Sequence, residues 1–281
     1  EEALNKASRE YGGFDHNAQT LRVLAEIEQR YANFDGLNLS WETLEGIVKH
    51  NGPVGLSGNR TSSAIHAFNT HFDLELSSYP GAEAQVAAIA DDIAYNNHDL
   101  DDGLRAGVFT IDDLRDVPHV AAVFQSVGDE HPDIDRTRLI HEAVRRLIGE
   151  MVEDVLDEST RRLEKEVIKT VEQIRALDHP VIAFSKPMRE KERLLKAFLS
   201  KNMYHHETVA EETGRGRIVV QSLFTEFMKH PEFLPDQWRN RVEGGGSMET
   251  ARVIIDYIAG MTDRYALTQW NDLTEKGAGA V

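Results

Sequence analysis

Cysteine is absent from these 281 residues. Disulfides, thiolate metal sites and cysteine nucleophiles are therefore excluded together, and a reducing compartment is the natural fit. Positive charge is scarce: 31 Lys and Arg stand against 48 Asp and Glu, a formal charge of −17. A mean field of that sign repels phosphate backbones and acidic lipid, so partners of those classes are not expected. No apolar run approaches the ~18 residues of a membrane helix, and no leader pattern is seen. A soluble, cytoplasmic protein is the expectation. The H-E-x-x-H, Walker A, G-x-S-x-G and G-x-G-x-x-G patterns are also missing. Strand-like alternation is confined to Phe72–Leu76, a candidate strand pair.

What is present is apolar content of 41% and helical periodicity almost throughout. Leu21, Leu24, Ile27 and Tyr31 fall on one face of a helix over 17–31. Ser40 is placed to cap Trp41–Lys49, which ends at Asn51-Gly52-Pro53. Residues 55–59 and the Gly244-Gly245-Gly246 run read as loops. Thr110-Ile-Asp-Asp resembles a capping box for a short helix that stops before Pro118. The longest signal runs from Arg136 to Leu177, with a break expected at Ser159-Thr160. Helices are expected at 188–202, 218–229 and 250–265, with Thr213–Arg217 as a basic turn before the second of these. No repeat or linker divides the chain, and the pattern predicts one all-α globule.

The segment Glu83–Arg105 carries the most chemistry. At about 100° per residue, Val86, Ile89, Ile93 and Leu100 share one face, and Asp91, Tyr95, His98, Asp99 and Asp102 the other. A solvated acidic face is one reading. Ala84, Ala87 and Ala88 precede Asp91 where an exposed helix usually carries long charged side chains, which points to close approach by other structure. Stacked carboxylates in a crevice repel one another unless a cation or proton offsets them, so a metal-carboxylate site is the other reading. Among the twelve histidines, His16 follows a Gly-Gly turn and opens a helix. Lys49 and His50 end one, where cations suit the dipole. His66 and His71 are badly spaced for one site, and His205 and His206 cannot share one.

Gly12–Gln19, Phe34–Pro53, Glu83–Gly107 and Asp256–Leu267 together resemble the prokaryotic deoxyguanosinetriphosphate triphosphohydrolase-like proteins of the HD-domain superfamily. The resemblance implies an all-α HD-domain helical globule with a C-terminal helical extension, divided as 1–107 and 108–281. It implies metal-dependent hydrolysis of a deoxynucleoside triphosphate to deoxynucleoside and inorganic triphosphate. In that family two histidines and two aspartates hold a divalent ion (Mg²⁺, Mn²⁺ or another), which activates water and polarises the α-phosphate. Asp91 matches the last metal ligand, Tyr95 a phosphate or sugar contact, and Asp99 the acceptor of the 3′-hydroxyl. His16 matches a histidine that projects toward the phosphates, and it is expected to face Asp91, Tyr95 and Asp99 across one concave pocket. Lys49, His50 and Tyr204 lie in segments implied to contact substrate. Glu1 matches a carboxylate that orients an upstream catalytic histidine.

The chain also departs from the family pattern. The upstream histidine and upstream His-Asp doublet have no counterpart here, so the resemblance leaves Asp91 as the sole metal ligand, with the ion absent or weakly held. Asn202 stands where a mammalian relative has an arginine reaching phosphate, and Lys201 is a poor substitute. A homo-oligomer, from dimer to hexamer, is implied. The alternative function is a catalytically inactive, nucleotide-binding regulatory or partner subunit.

Overall fold

The computed structural model describes residues 1–55, 63–243 and 246–278. Helices occupy 72% of them and no strand is present among them, which bears out the all-α expectation. The α-helices are α1 (Glu2–Ala7), α2 (His16–Arg22), α3 (Trp41–Lys49), α4 (Ser63–His71), α5 (Ala82–Ala106), α6 (Pro118–Glu130), α7 (Arg136–Lys165), α8 (Val171–Arg175), α9 (Lys186–Leu199), α10 (Glu207–Lys229), α11 (Asp236–Arg239), α12 (Met248–Ala259) and α13 (Asp263–Ala278). Two of them, α2 and α9, continue into single π-turns at Val23–Ile27 and Ser200–Tyr204.

The chain gathers into two compact units. The first comprises Glu1–Asn38, Ser62–His71 and Glu211–Val281; the second comprises Leu39–Thr61 and Phe72–Ala210. In the first unit, Leu4 of α1 joins Leu223, Phe224 and Phe227 of α10 and Ala251, Ile254 and Ile258 of α12 in one apolar core. In the second, Leu100 and Leu104 of α5, Val120, Phe124 and Val127 of α6, Ile140 and Leu147 of α7, and Leu195, Phe198 and Leu199 of α9 form the main core. A smaller cluster joins Ile93 of α5 to Met151 and Val155 of α7 and to Phe184 and Met188.

Helix starts follow the side-chain signals closely. Ser40, Asp135, Ser185 and Ser247 each accept the backbone N–H three residues on, which satisfies a donor that the first helical turn leaves open. The Thr110–Asp113 capping box is formed, and it opens a 3₁₀ turn over Ile111–Asp116. Several expectations are corrected. Phe72–Leu76 is not a strand pair, because the run folds on itself: Asp73 accepts the Glu75 N–H and Glu75 takes a left-handed φ of 50°. α7 runs through Ser159-Thr160 unbroken. Ser159 is buried, with its hydroxyl accepting from Ala183 N, and Thr160 bonds back to the Leu156 carbonyl. Thr213–Arg217 is helical within α10, and the helix expected over 250–265 is two, parted at Gly260–Thr262. The helix expected to reach Tyr31 ends at Glu28. Of the two glycine loops, residues 56–59, 244 and 245 lie outside the described residues.

Candidate active site

α5 begins after Gly81 and stops at Gly107, whose φ of 71° is the left-handed conformation that ends helices. Asp91, Tyr95 and Asp99 follow one another at four-residue steps, about 6 Å apart along the axis. Asp91 is exposed, Tyr95 is 56% exposed and Asp99 is half-buried. The Tyr204 hydroxyl donates a hydrogen bond to Asp99 Oδ2. Its ring lies 6.5 Å from that of Tyr95, tilted by 47°. Burial first, and then the hydrogen bonds to Asp99 and Tyr95, push the Tyr204 phenol well above its ordinary pKa, so it stays a donor. Tyr95, Asp99 and Tyr204 are thus brought together in the second unit.

The alanines before Asp91 have distinct explanations. A Cβ added to Gly46 of α3 would meet Ala84 Cβ at 3.1 Å, so Ala84 marks the close approach of α3 to α5. Ala87 is exposed, and Ala88 is half-buried beside a groove of about 790 Å³. Ile89, Asp92, Phe184, Arg189 and Lys196 also line that groove, but Asp91, Tyr95 and Asp99 do not. The concave pocket expected around Asp91 is therefore not this groove. Lys196 pairs with Asp92 at 3.0 Å and with Glu192 at 2.5 Å. Burial lowers its pKa, but these hydrogen bonds outweigh burial and keep the ammonium charged. Val86, expected on the buried face, is 48% exposed.

Lys49 and His50 sit at the end of α3. The Lys49 side chain is 0% exposed; its ammonium reaches Glu45 at 2.9 Å, the Glu75 carbonyl at 3.1 Å and the Ser78 hydroxyl at 2.8 Å. All three N–H donors are used, which leaves none for a substrate. His50 donates from Nδ1 to the Ile47 carbonyl at 2.8 Å and accepts at Nε2 from Asn51 at 2.9 Å, and it lines the groove.

In the first unit, Glu1 and His16 meet. Gly12 and Gly13 adopt left-handed φ values of 97° and 76°. A Cβ at Gly13 would strike Asn5 Oδ1 at 2.4 Å, the atom that accepts from Phe14 N. This turn folds α2 back beside α1, and Asp15 caps α2 by accepting from Ala18 N. His16 Nδ1 then lies 3.0 Å from each Glu1 carboxylate oxygen, and its backbone N–H donates to the same group at 3.3 Å. Burial raises the Glu1 pKa, but the His16 hydrogen bonds outweigh it and hold the carboxyl below its usual range.

Residues 182–272, from just before α9 into α13, match the phosphohydrolase-associated domain that accompanies HD domains. Over the chain as a whole, a deoxyguanosinetriphosphate triphosphohydrolase-like protein of Parvibaculum lavamentivorans is 49% identical across 272 residues, 96% of this chain and 69% of the relative. Proteins of the same name from Caulobacter vibrioides (48% over 275 residues; 97% and 70%) and Cereibacter sphaeroides (49% over 270 residues; 96% and 71%) agree. The chain belongs to this family.

A triphosphohydrolase-like protein of the HD superfamily raises the question of a metal. Among the described residues, no three His, Asp or Glu side chains converge as a metal site. Asp91 offers one carboxylate, and a divalent ion gives up its water only for several oxygen or nitrogen donors. The donor set of these residues does not fit a resident ion. Two features of this family member carried no sequence signal. Lys196 reaches Asp92 across 104 positions, and Arg22 grips Asp256 across 234, with Nη1 and Nη2 at 2.7 and 2.8 Å from the two carboxylate oxygens.

Proposed function

We propose that this protein takes part in hydrolysis of a deoxynucleoside triphosphate to the deoxynucleoside and inorganic triphosphate. The observation that carries the reading is the meeting of Tyr95, Asp99 and Tyr204 on one edge of α5. The family resemblance matches Tyr95 and Asp99 to substrate contacts, and Tyr204, 105 positions from Asp99, lies in a segment implied to contact substrate. In this reading Asp99 accepts the 3′-hydroxyl, and Tyr95 and Tyr204 flank the sugar. Asp91 offers one carboxylate toward a divalent ion, and among the described residues no further donors converge with it. Lys49, with no free donor, acts in the interior instead. Family membership and the phosphohydrolase-associated domain support the reading. Among the described residues no helix is long and apolar enough to cross a membrane. A cytoplasmic homo-oligomer, dimer to hexamer, belongs to the same proposal.

The test is release of inorganic triphosphate from each dNTP by the full-length protein with Mn²⁺ or Mg²⁺. Asp91→Ala is expected to lose at least ~10²-fold in rate, equivalent to about 3 kcal/mol of transition-state stabilisation. An unimpaired Asp91→Ala protein would remove Asp91 from the site. The exposed Asp91, with no converging metal donors among the described residues, gives the second reading its footing: a catalytically inactive, nucleotide-binding regulatory or partner subunit of the same fold.

A further inference from the structure

The end of α9 contains a conflict between sequence and helical geometry. Met188, Leu195, Phe198 and Leu199 are its buried residues. At about 100° per residue they span an arc whose centre, one turn on, falls at position 202. Residue 202 is asparagine, and Met203 follows it. An unbroken α-helix would drive the Asn202 amide into the core built by Phe198 and Leu199 and turn Met203 aside, which buries a polar amide where an apolar side chain fits and exposes the apolar one.

The chain resolves this with a π-turn over Ser200–Tyr204. One extra residue in the turn delays everything after it by one position. Met203 then packs against the main core, and Asn202 moves to the flank and donates to the Phe198 carbonyl at 2.9 Å. His205 closes the turn by donating from Nδ1 to the Ser200 carbonyl at 2.5 Å. The same delay gives Tyr204 the direction that residue 203 would have in an unbroken helix, and in that direction its hydroxyl meets Asp99. π-turns inside helices are often found at functional sites.

We propose that this π-turn, enforced by the order Asn202-Met203, is the positioning device that sets Tyr204 on Asp99 and so shapes the sugar end of the substrate site. Asn202 and Met203 are positioning residues and touch no substrate. The inference rests on the triphosphohydrolase reading for its kinetic consequence, but not for its structural one.

The experiment compares three variants of the full-length protein, with circular dichroism and melting curves to check folding. Exchanging the two residues (Asn202→Met with Met203→Asn) makes the unbroken α-helix the better-packed register. It is expected to raise KM for dGTP about tenfold, the scale of one lost hydrogen bond to a charged group, with a smaller change in kcat. Tyr204→Ala should do the same, and adding it to the exchange should cost nothing more, since both remove one contact. Deleting Lys201 removes the extra residue while Met203 and Tyr204 keep their directions, so KM should stay within about threefold. A merely structural segment would suffer more from a deletion than from an exchange. A wild-type KM in the exchange variant, or a deletion as damaging as Tyr204→Ala, overturns the proposal. Crystal structures of the exchange and deletion variants of this chain read the Tyr204–Asp99 contact directly. If the wild-type protein turns over no dNTP, the functional reading fails, and those structures still decide the π-turn claim.

Discussion

At the residue scale, buried charge separates holding the fold from handling a ligand. Lys49 and Asp256 both lie in segments that resemble the family, and both are buried. Lys49 is held by Glu45, and Arg175 braces the same carboxylate at 3.3 Å while its guanidinium lies 4.6 Å from the Trp41 ring centre. Asp256 is gripped by Arg22 and by Gln19 at 3.0 Å. Burial pushes the Asp256 carboxyl above its ordinary pKa, and Arg22 holds it down only in part. The sign follows from linkage: a carboxyl raised in the folded state favours folding below its unfolded pKa, and that contribution is lost as pH rises through the folded value. Arg22→Met strands the carboxylate and should cost about 3–5 kcal/mol at neutral pH. The deficit relative to wild type should shrink as pH falls toward 4, where the stranded group is protonated. Urea denaturation across pH 4–8 checks this, and a deficit that does not change with pH would contradict it.

At the scale of elements, two helical glycines serve opposite ends. A Cβ at Gly103 of α5 would lie 2.2 Å from Phe109 Cε1 and 2.4 Å from Cζ. Phe109 is itself buried and packs edge-on against Phe198, with ring centres 5.1 Å apart. The ring has nowhere to go, and overpacking of this kind costs about 1–3 kcal/mol, enough to outweigh the roughly 1 kcal/mol that alanine gains over glycine in a helix. Gly149 of α7 has nothing within 4 Å of such a Cβ. Gly103→Ala should therefore lower the denaturation midpoint, and Gly149→Ala should raise it by an amount equivalent to about 0.5–1 kcal/mol. Shifts of the same sign in the two variants would show that the packing around Gly103 is misassigned.

At the scale of the whole molecule, charge and donor count bound what the 281 residues can do unaided. The net charge of −17 opposes approach of a triphosphate, and no metal site forms among the described residues. The purified chain is expected to show no tight Mn²⁺ site by calorimetric titration and no detectable release of triphosphate from any dNTP. A stoichiometric tight site would mean that donors other than Asp91 assemble within this chain.

Helix content, most helix starts and the face carrying Asp91, Tyr95 and Asp99 were determined by local sequence. Ser40, Asp135, Ser185 and Ser247 cap their own helices, and residues four apart on α5 must share a side, because both effects span a few residues and depend on backbone geometry alone. Tertiary structure decided what depends on distant partners. It held α7 together through Ser159-Thr160, where packing outweighs weak propensity, and it turned Phe72–Leu76 into a fold-back by supplying Trp41 Nε1 to the Asp73 carbonyl and Lys49 to that of Glu75. It sealed Lys49 in the interior and left Val86 in solvent, since periodicity reports a face but not what covers it. It also placed Tyr204 on Asp99, through a one-residue change of helical register that follows from which of Asn202 and Met203 the core accepts.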